Sequence, residues 1–197
     1  MYPFFCQYCI IRAVSAKCVS AGGRGKESIH MIALQLTDIK GFMNCLLRSE
    51  VFDNFLLQEA VITSAATYMI DGRINRDFFS SEELEESGLT EHKALPFSML
   101  RGNCFDLIKG KKTPSAFRFV FLLSPANLRN TLASCGSSYR ENDISGIFMN
   151  LKYQNGTLIL TTGISYRIFS TDKSLESQWD QLVKRFLKQN GISFEEL

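Results

Sequence analysis

One stretch of this chain concentrates basic side chains in a loop-like context. It contains Lys109, Lys111 and Lys112 and continues through Thr113 and Pro114. Ammonium groups in such a loop can bind a phosphate or a nucleic-acid backbone as point charges. More often, such a run is a solvated connection after a helix, whose C-terminal dipole favours cations. The sequence leaves both interpretations open.

Further basic side chains follow an Asp-Gly dipeptide. Asp71-Gly72 suits the positive backbone angles of a tight turn, and Arg73 and Arg76 come directly after it. These arginines would extend the basic surface if the fold placed them beside the lysine loop. We therefore predict one candidate binding surface, made of Lys109, Lys111, Lys112, Thr113, Arg73 and Arg76.

Residue types for nucleophilic or metal chemistry are scarce from Met31 onward. This part has one histidine, His92, and the cysteines Cys45, Cys104 and Cys135. An odd number of widely spaced cysteines is typical of reduced thiols in a cytoplasm. We expect Cys104 and Cys135 to be small buried hydrophobic residues and His92 to be an exposed loop residue. No metal site and no cofactor are predicted, and an enzyme using Cys104 or His92 remains an alternative.

Four acidic residues also form a cluster in the sequence, but their spacing does not predict a binding site. Glu82, Glu83, Glu85 and Glu86 are bunched rather than spaced to converge on a metal or a substrate. Such a run is typical of the solvated face of a short helix.

The sequence changes character at Met31. Residues 1–30 contain no apolar periodicity, and no uninterrupted apolar run that would suit a secretory signal. The run Gly22-Gly23-Arg24-Gly25-Lys26-Glu27 lacks the hydroxyl residue that a phosphate-binding loop needs after Gly-Lys. Purine-rich codons for residues 24–27 would resemble a ribosome-binding site, so we hypothesise that residues 1–30 extend the true reading frame. Residues 31–197 are then the folded domain.

This division changes the charge of the domain. The whole chain carries +2, and residues 1–30 contribute +3, from four basic residues against Glu27, which leaves −1 for residues 31–197. The domain therefore lacks the basic character expected of a general nucleic-acid binder. It is long enough for one hydrophobic core and has no apolar run that could cross a bilayer, so we predict a single cytoplasmic domain without a membrane association.

The elements that would position these residues follow from local patterns. Thr37-Asp38, Ser80-x-x-Glu83 and Ser124-Pro125 predict helix starts, and Gln154-Asn155-Gly156 predicts a hairpin. The predicted strands are 31–36, one or two within 57–70, 116–123, 147–153, 157–162 and 164–169. The predicted helices begin at 39, 81, 97 and 125, with a last amphipathic helix over 173–190.

A strand, a capped helix and a hairpin occur in this order twice, beginning at Met31 and at Ala116. This order predicts an α+β domain with a mostly antiparallel sheet, two β-α-β-β-type units and the C-terminal amphipathic helix packed on the core. Because Trp179 and Phe186 lie on the apolar face of that helix, either one replaced by Ala should cost about 3–5 kcal/mol.

Four segments carry a family resemblance: MIALQLTDIKGFMNCLL, IDGRINRDFFS, LIKGKKTPSAFRFVFLLSP and DKSLESQWDQLVKRFLKQNGISFEEL. They resemble an uncharacterised family, a domain of unknown function, of small proteins from anaerobic Gram-positive bacteria. The resemblance covers residues 31–197 and implies no activity.

A second resemblance concerns layout. The repeated strand-helix-hairpin order and the segment KYQNGTLILTTGISYRIF are similar to one domain of the DNA sliding clamps. Clamps line their ring with basic helix faces, for which this chain offers Lys40, Arg48 and Arg129. We predict a non-enzymatic cytoplasmic binding domain whose partner is a protein or a second copy, with a clamp-like, nucleic-acid-associated oligomer as an alternative.

Overall fold

A seven-stranded antiparallel sheet organises the computed structural model, which describes residues 32–135 and 138–197. The strands lie in the order β3-β2-β4-β5-β6-β1-β7. The predicted extension, residues 1–30, lies outside the described residues. The strands are β1 (Ala33–Leu36), β2 (Phe55–Thr63), β3 (Thr67–Asp71), β4 (Ala116–Leu123), β5 (Ile144–Gln154), β6 (Thr157–Tyr166) and β7 (Phe194–Glu196). The helices are α1 (Ile39–Arg48), α2 (Ser81–Glu86), α3 (Phe97–Ile108), α4 (Pro125–Ser134) and α5 (Ser174–Gln189), with 3₁₀ turns at Arg76–Phe78 and Glu141–Asp143.

The predicted α+β class and the repeated layout are confirmed. The chain runs strand, helix, hairpin through β1, α1, β2 and β3, and again through β4, α4, β5 and β6. The two units nevertheless occupy different places in the sheet. Strand β4 lies between β2 and β5, whereas β1 lies outside β6. The repeat is therefore one of chain order and not of sheet position.

Side-chain caps start three of the helices where the sequence predicts them. The Asp38 carboxylate accepts a hydrogen bond from the Gly41 N–H at 2.8 Å. Ser124 Oγ accepts one from the Asn127 N–H at 3.3 Å, and Pro125 occupies the first turn of α4. Helix α2 has the predicted capping box between Ser80 and Glu83. These caps satisfy N–H groups that would otherwise lack partners.

One face of the sheet carries the core. Alternate residues of the central strands point to this face and are buried against the helices. They include Phe117, Phe119, Phe121, Met149, Leu151 and Leu160. Helix α5 contributes Leu175, Trp179, Val183 and Leu187, all buried, and the Trp179 indole N–H donates to the Phe148 carbonyl at 3.0 Å. The predicted packing of the C-terminal helix on the core is confirmed.

The prediction of a turn at Asp71-Gly72 is wrong. Strands β2 and β3 are joined through residues 64–66, and Gly72 does not have a positive φ angle. Gly72 instead lies where two backbones approach, since its N–H donates to the Gln58 carbonyl at 3.0 Å. A Cβ at this position would lie 1.7 Å from the Leu57 carbonyl oxygen. The glycine is required by lack of space and not by a turn.

Two further expectations about strands need correction. The predicted strand 164–169 is not separate, because β6 continues from Thr157 through Gly163 to Tyr166, paired with β5. Strand β7, which pairs with β1, was not predicted. Its three residues are too few to show a period-two pattern.

Candidate functional site

Helices α4 and α5 enclose a cleft of about 390 Å³ above the start of β2 and the end of β4. Helix α4 follows β4 directly through its Ser124 cap, and α5 packs on the core through its apolar face. We call this space the α4–α5 cleft. Its lining is Phe55, Leu123, Asn127, Asn130, Thr131, Ser134, Trp179, Leu182, Val183, Arg185, Phe186 and Gln189.

The floor and the α5 wall of the cleft are apolar. Phe55 and Phe186 meet edge to face with their ring centroids 5.6 Å apart. Trp179 and Val183 are buried beneath them, whereas Leu182 and Phe186 stay partly exposed. The cleft therefore offers apolar surface to an incoming group without exposing the core itself.

The α4 wall is polar and uncharged. Asn127, Asn130, Thr131 and Ser134 recur at spacings of three and four residues, which places them on one face of the helix. Asn127 Nδ2 donates to the Asn54 carbonyl at 3.2 Å, which ties α4 to the start of β2. The Asn130 carboxamide has no hydrogen-bond partner among the described residues and stays exposed at the rim.

A single contact fixes the spacing of the two helices at one end. Gln178 Nε2, at the N-terminal part of α5, donates to the Cys135 carbonyl just after α4 at 3.1 Å. The neighbouring Trp179 is also anchored, to the Phe148 carbonyl, so the N-terminal part of this wall is held in place. Arg185 is the one charged residue among the described lining residues.

A second cleft, of about 340 Å³, lies on the other side of α4 and has charged walls. Arg129 pairs with Glu91 at 3.2 Å and with Glu141 at 3.4 Å. Lys93 Nζ donates to the Ser145 carbonyl at 2.7 Å, and burial together with the nearby Arg167 lowers the pKa of Lys93. The ion pairs of Arg129 and the hydrogen bond of Lys93 link separate segments of the chain, so this cleft is a structural junction.

The predicted basic loop lies at one end of the sheet. Lys109 pairs with Asp106 at 2.7 Å, and its ammonium lies 5.8 Å from the Phe105 ring centroid. Lys111, Lys112 and Thr113 are exposed. The loop leads into β4, where the Ser115 N–H donates to the Thr63 carbonyl.

The predicted arginines lie at the other end. The Arg73 guanidinium holds both oxygens of Asp71, with Nε 3.0 Å from each, and this hydrogen bonding lowers the pKa of Asp71. Arg76 donates to the carbonyls of Thr90 and His92. Arg73 pairs with Ala94 beside the start of β2, whereas the lysine loop joins the sheet at Thr63, where β2 ends. The length of β2 therefore separates the two groups, by roughly 20 Å at 3.3 Å per residue.

The residues of the enzymatic alternative are placed unfavourably for catalysis. Cys104 is fully buried in the core, and burial raises the pKa of its thiol to about 12. A thiolate is therefore scarce at neutral pH. Cys135 is the C-cap of α4 and is only partly buried, whereas a buried position was expected.

The exposed position predicted for His92 is wrong, because the loop around it folds onto the sheet through Leu89 and Ala94. His92 is partly buried, its Nδ1 atom is enclosed without a hydrogen-bond partner, and burial lowers its pKa.

Within residues 32–135 and 138–197, no three His, Cys, Asp or Glu side chains converge as a metal site. No helix in the same ranges has the length and apolar character needed to cross a bilayer.

A protein-family model matches residues 45–195 of the chain. The chain belongs to DUF5721, a family of unknown function. The predicted membership in an uncharacterised family is thereby confirmed. No curated protein and no solved structure matches the chain.

Sequence reasoning missed the α4–α5 cleft of this DUF5721 protein. The sequence did contain a signal for the α4 wall, since Asn127, Asn130, Thr131 and Ser134 form an uncharged polar stripe opposite the apolar Leu128 and Leu132. A fully solvated helix face normally carries charges. The pairing of this stripe with the apolar edge of α5 is a tertiary feature, because the two helices are separated by residues 135–173.

Proposed function

We propose that this DUF5721 domain is a non-enzymatic binding domain that takes a short segment of a partner polypeptide in the α4–α5 cleft. The observation that carries the proposal is the pairing of an apolar floor with an uncharged wall of carboxamides and hydroxyls. The floor suits an apolar side chain, and the wall suits a group that both donates and accepts hydrogen bonds.

A peptide backbone is the group that the polar wall fits best. Each peptide unit presents one N–H and one C=O, and a carboxamide such as that of Asn130 can satisfy both. The cleft volume of about 390 Å³ is near the lower end for ligand sites and suits one or two side chains rather than a folded domain. Arg185 at the rim favours a segment with an acidic residue beside its apolar anchor.

A location in a reducing cytoplasm is part of the proposal. Cys45, Cys104 and Cys135 are all free thiols in the structure. Persistent free thiols are typical of reducing compartments.

The clamp-like oligomer is the alternative function. The repeated strand-helix-hairpin order supports it, but two of its three candidate cations are already engaged. Arg129 is held by Glu91 and Glu141, and the Arg48 guanidinium lies 5.3 Å from the Phe105 ring centroid. The polypeptide-binding proposal needs no such basic surface.

Selection of peptides from a random display library on the purified full chain tests the proposal. We expect enrichment of segments with an apolar anchor next to an acidic residue. Asn130→Ala should then weaken binding by about 3- to 10-fold, the effect of losing about one hydrogen bond. Arg185→Glu should weaken binding of the acidic segments more than binding of their neutral analogues.

Asn44→Ala is the matched control, because Asn44 is an exposed asparagine on α1, away from the cleft. It should leave affinity unchanged. Selected peptides whose affinity is the same in Asn130→Ala, Arg185→Glu and Asn44→Ala would bind elsewhere and contradict the proposal. A library that yields no enriched peptide would contradict it as well.

A further inference from the structure

The two edge strands of the sheet differ in how they are protected. Strand β7 has three residues, carries Glu195 and Glu196, and is pinned by the Lys184–Glu196 ion pair at 2.8 Å. Short length and charge are the usual protections against pairing with another chain. Strand β3 has five residues, Thr67-Tyr68-Met69-Ile70-Asp71, and contains no lysine and no proline. Only β2 pairs with it among the described strands, so its outer edge offers backbone donors and acceptors to a further strand.

The same edge also presents apolar side chains to solvent. Tyr68 is 44% exposed, Met69 is 66% exposed and Phe78, in the following 3₁₀ turn, is 77% exposed. They are three of the seven large hydrophobic side chains exposed among the described residues. Concentration of such side chains along an open strand is typical of an interaction surface.

Charge is distributed unequally along this edge. At the Thr67 end lies the basic loop, whose Lys111 and Lys112 are exposed, because that loop enters the sheet beside Thr63, the partner of Thr67. At the Asp71 end, Arg73 pairs with Asp71, and the chain continues into the 3₁₀ turn and helix α2. The exposed carboxylates of this following segment, Asp77, Glu82, Glu83, Glu85 and Glu86, outnumber its one basic residue, Arg76. The edge is therefore basic at one end and acidic at the other.

We propose that a second copy of this chain pairs on this edge, β3 to β3, antiparallel about a two-fold axis near Met69. The axis places the basic loop of each copy at the acidic end of the other, so the charges are complementary at both ends. It also buries both copies of Met69 at the centre and joins the sheets into fourteen strands, seven from each copy. A two-fold interface uses the same surface of both copies, so that surface must be complementary to itself. The opposite charges at the two ends of β3 meet this requirement.

The dimer is independent of the α4–α5 cleft. No residue of β3 or of the basic loop lines the cleft. Each dimer therefore carries two clefts that remain open, and failure of the peptide proposal would leave the dimer proposal untouched.

Sedimentation velocity of the full chain over a wide concentration range tests the dimer. The wild-type chain should show a reversible monomer–dimer equilibrium. Met69→Lys should raise the dimer dissociation constant by on the order of a hundredfold, because the symmetry places the new charge in the interface twice. Phe169→Lys is the matched control, since Phe169 is 94% exposed and lies outside the edge segment; it should leave the constant unchanged.

A charge exchange tests the orientation of the two copies. Lys111→Glu with Lys112→Glu places like charges at both ends of the interface, and Glu85→Lys with Glu86→Lys removes most of the opposite charge that faces the lysine loop. Each double variant alone should dimerise more weakly than the wild-type chain, and an equimolar mixture should associate more strongly than either variant alone. All four side chains are exposed and none forms an ion pair with another described side chain, so we expect these variants to fold.

Three outcomes would overturn the proposal. The first is a wild-type chain that stays monomeric at all concentrations, including one that captures a different protein on β3. The second is a dimer that persists in Met69→Lys or is lost equally in Phe169→Lys. The third is a pair of charge variants whose mixture associates no more strongly than either variant alone.

Discussion

At the scale of single residues, the space left by the neighbouring backbone determines whether a position requires glycine. The sequence places Gly72 in a predicted turn after Asp71 and Gly102 within a predicted helix. In the structure, a Cβ at Gly72 would meet the Leu57 carbonyl, whereas a Cβ at Gly102 on α3 would meet nothing within 4 Å. The two positions therefore make opposite predictions for the same substitution.

Gly72→Ala should destabilise the fold by about 1–3 kcal/mol or more, because the Leu57 backbone must move to accommodate the methyl group. Gly102→Ala should instead stabilise it by up to about 1 kcal/mol, because alanine is the better helix former and the site is open. Urea unfolding of both variants measures the difference. Equal and small effects would mean that Gly72 does not make the close approach to Leu57.

At the scale of elements, the sequence predicted features that depend on neighbouring residues, such as helix caps, but not the contacts between distant elements. The caps at Asp38, Ser80 and Ser124 act on their own helices, so their positions were predicted correctly. The β2–β3 connection at residues 64–66 contains no glycine, asparagine or proline, so the sequence gives no turn signal there. The turn was therefore predicted at Asp71-Gly72, where such a signal is present. The predicted binding residues lie at opposite ends of β2 because of the way the strands pair. No local sequence pattern predicts that pairing.

Helix α5 shows how one apolar face divides between core and site. The sequence treats Trp179 and Phe186 as equivalent core residues. The structure buries Trp179 to 5% exposure and leaves Phe186 partly exposed in the wall of the cleft.

Trp179→Ala should therefore cost about 3–5 kcal/mol, as the sequence predicts, because it removes a buried ring and leaves the Phe148 carbonyl without its donor. Phe186→Ala should cost clearly less, since part of its surface is already hydrated. Thermal and urea unfolding of the two variants compares them directly. A Trp179→Ala variant with an unchanged midpoint would show that this helix face does not belong to the core.

At the scale of the whole molecule, the cleft and the β3 edge are two separate surfaces. A dimer with two open clefts would bind a partner that carries two copies of its segment with greater avidity than a monomer. The proposed dimer would therefore affect function by doubling the number of binding sites, and it would not change the geometry of either cleft.

The charge distribution of the whole chain bears on the clamp-like alternative. Residues 31–197 carry a net charge of −1, and residues 1–30 carry +3. We therefore expect retention of the full chain on duplex DNA to be weak, to vanish as salt rises, and to depend on Arg12 and Arg24 rather than on the helix faces. Retention of Lys40→Glu with Arg48→Glu should equal that of the wild-type chain. A clamp-like function demands the reverse result, with binding lost in this variant and the salt slope reduced by about one unit for each phosphate contact removed. Filter binding across a salt series distinguishes the two outcomes, because this variant removes cations from the helix faces and leaves those of residues 1–30 in place.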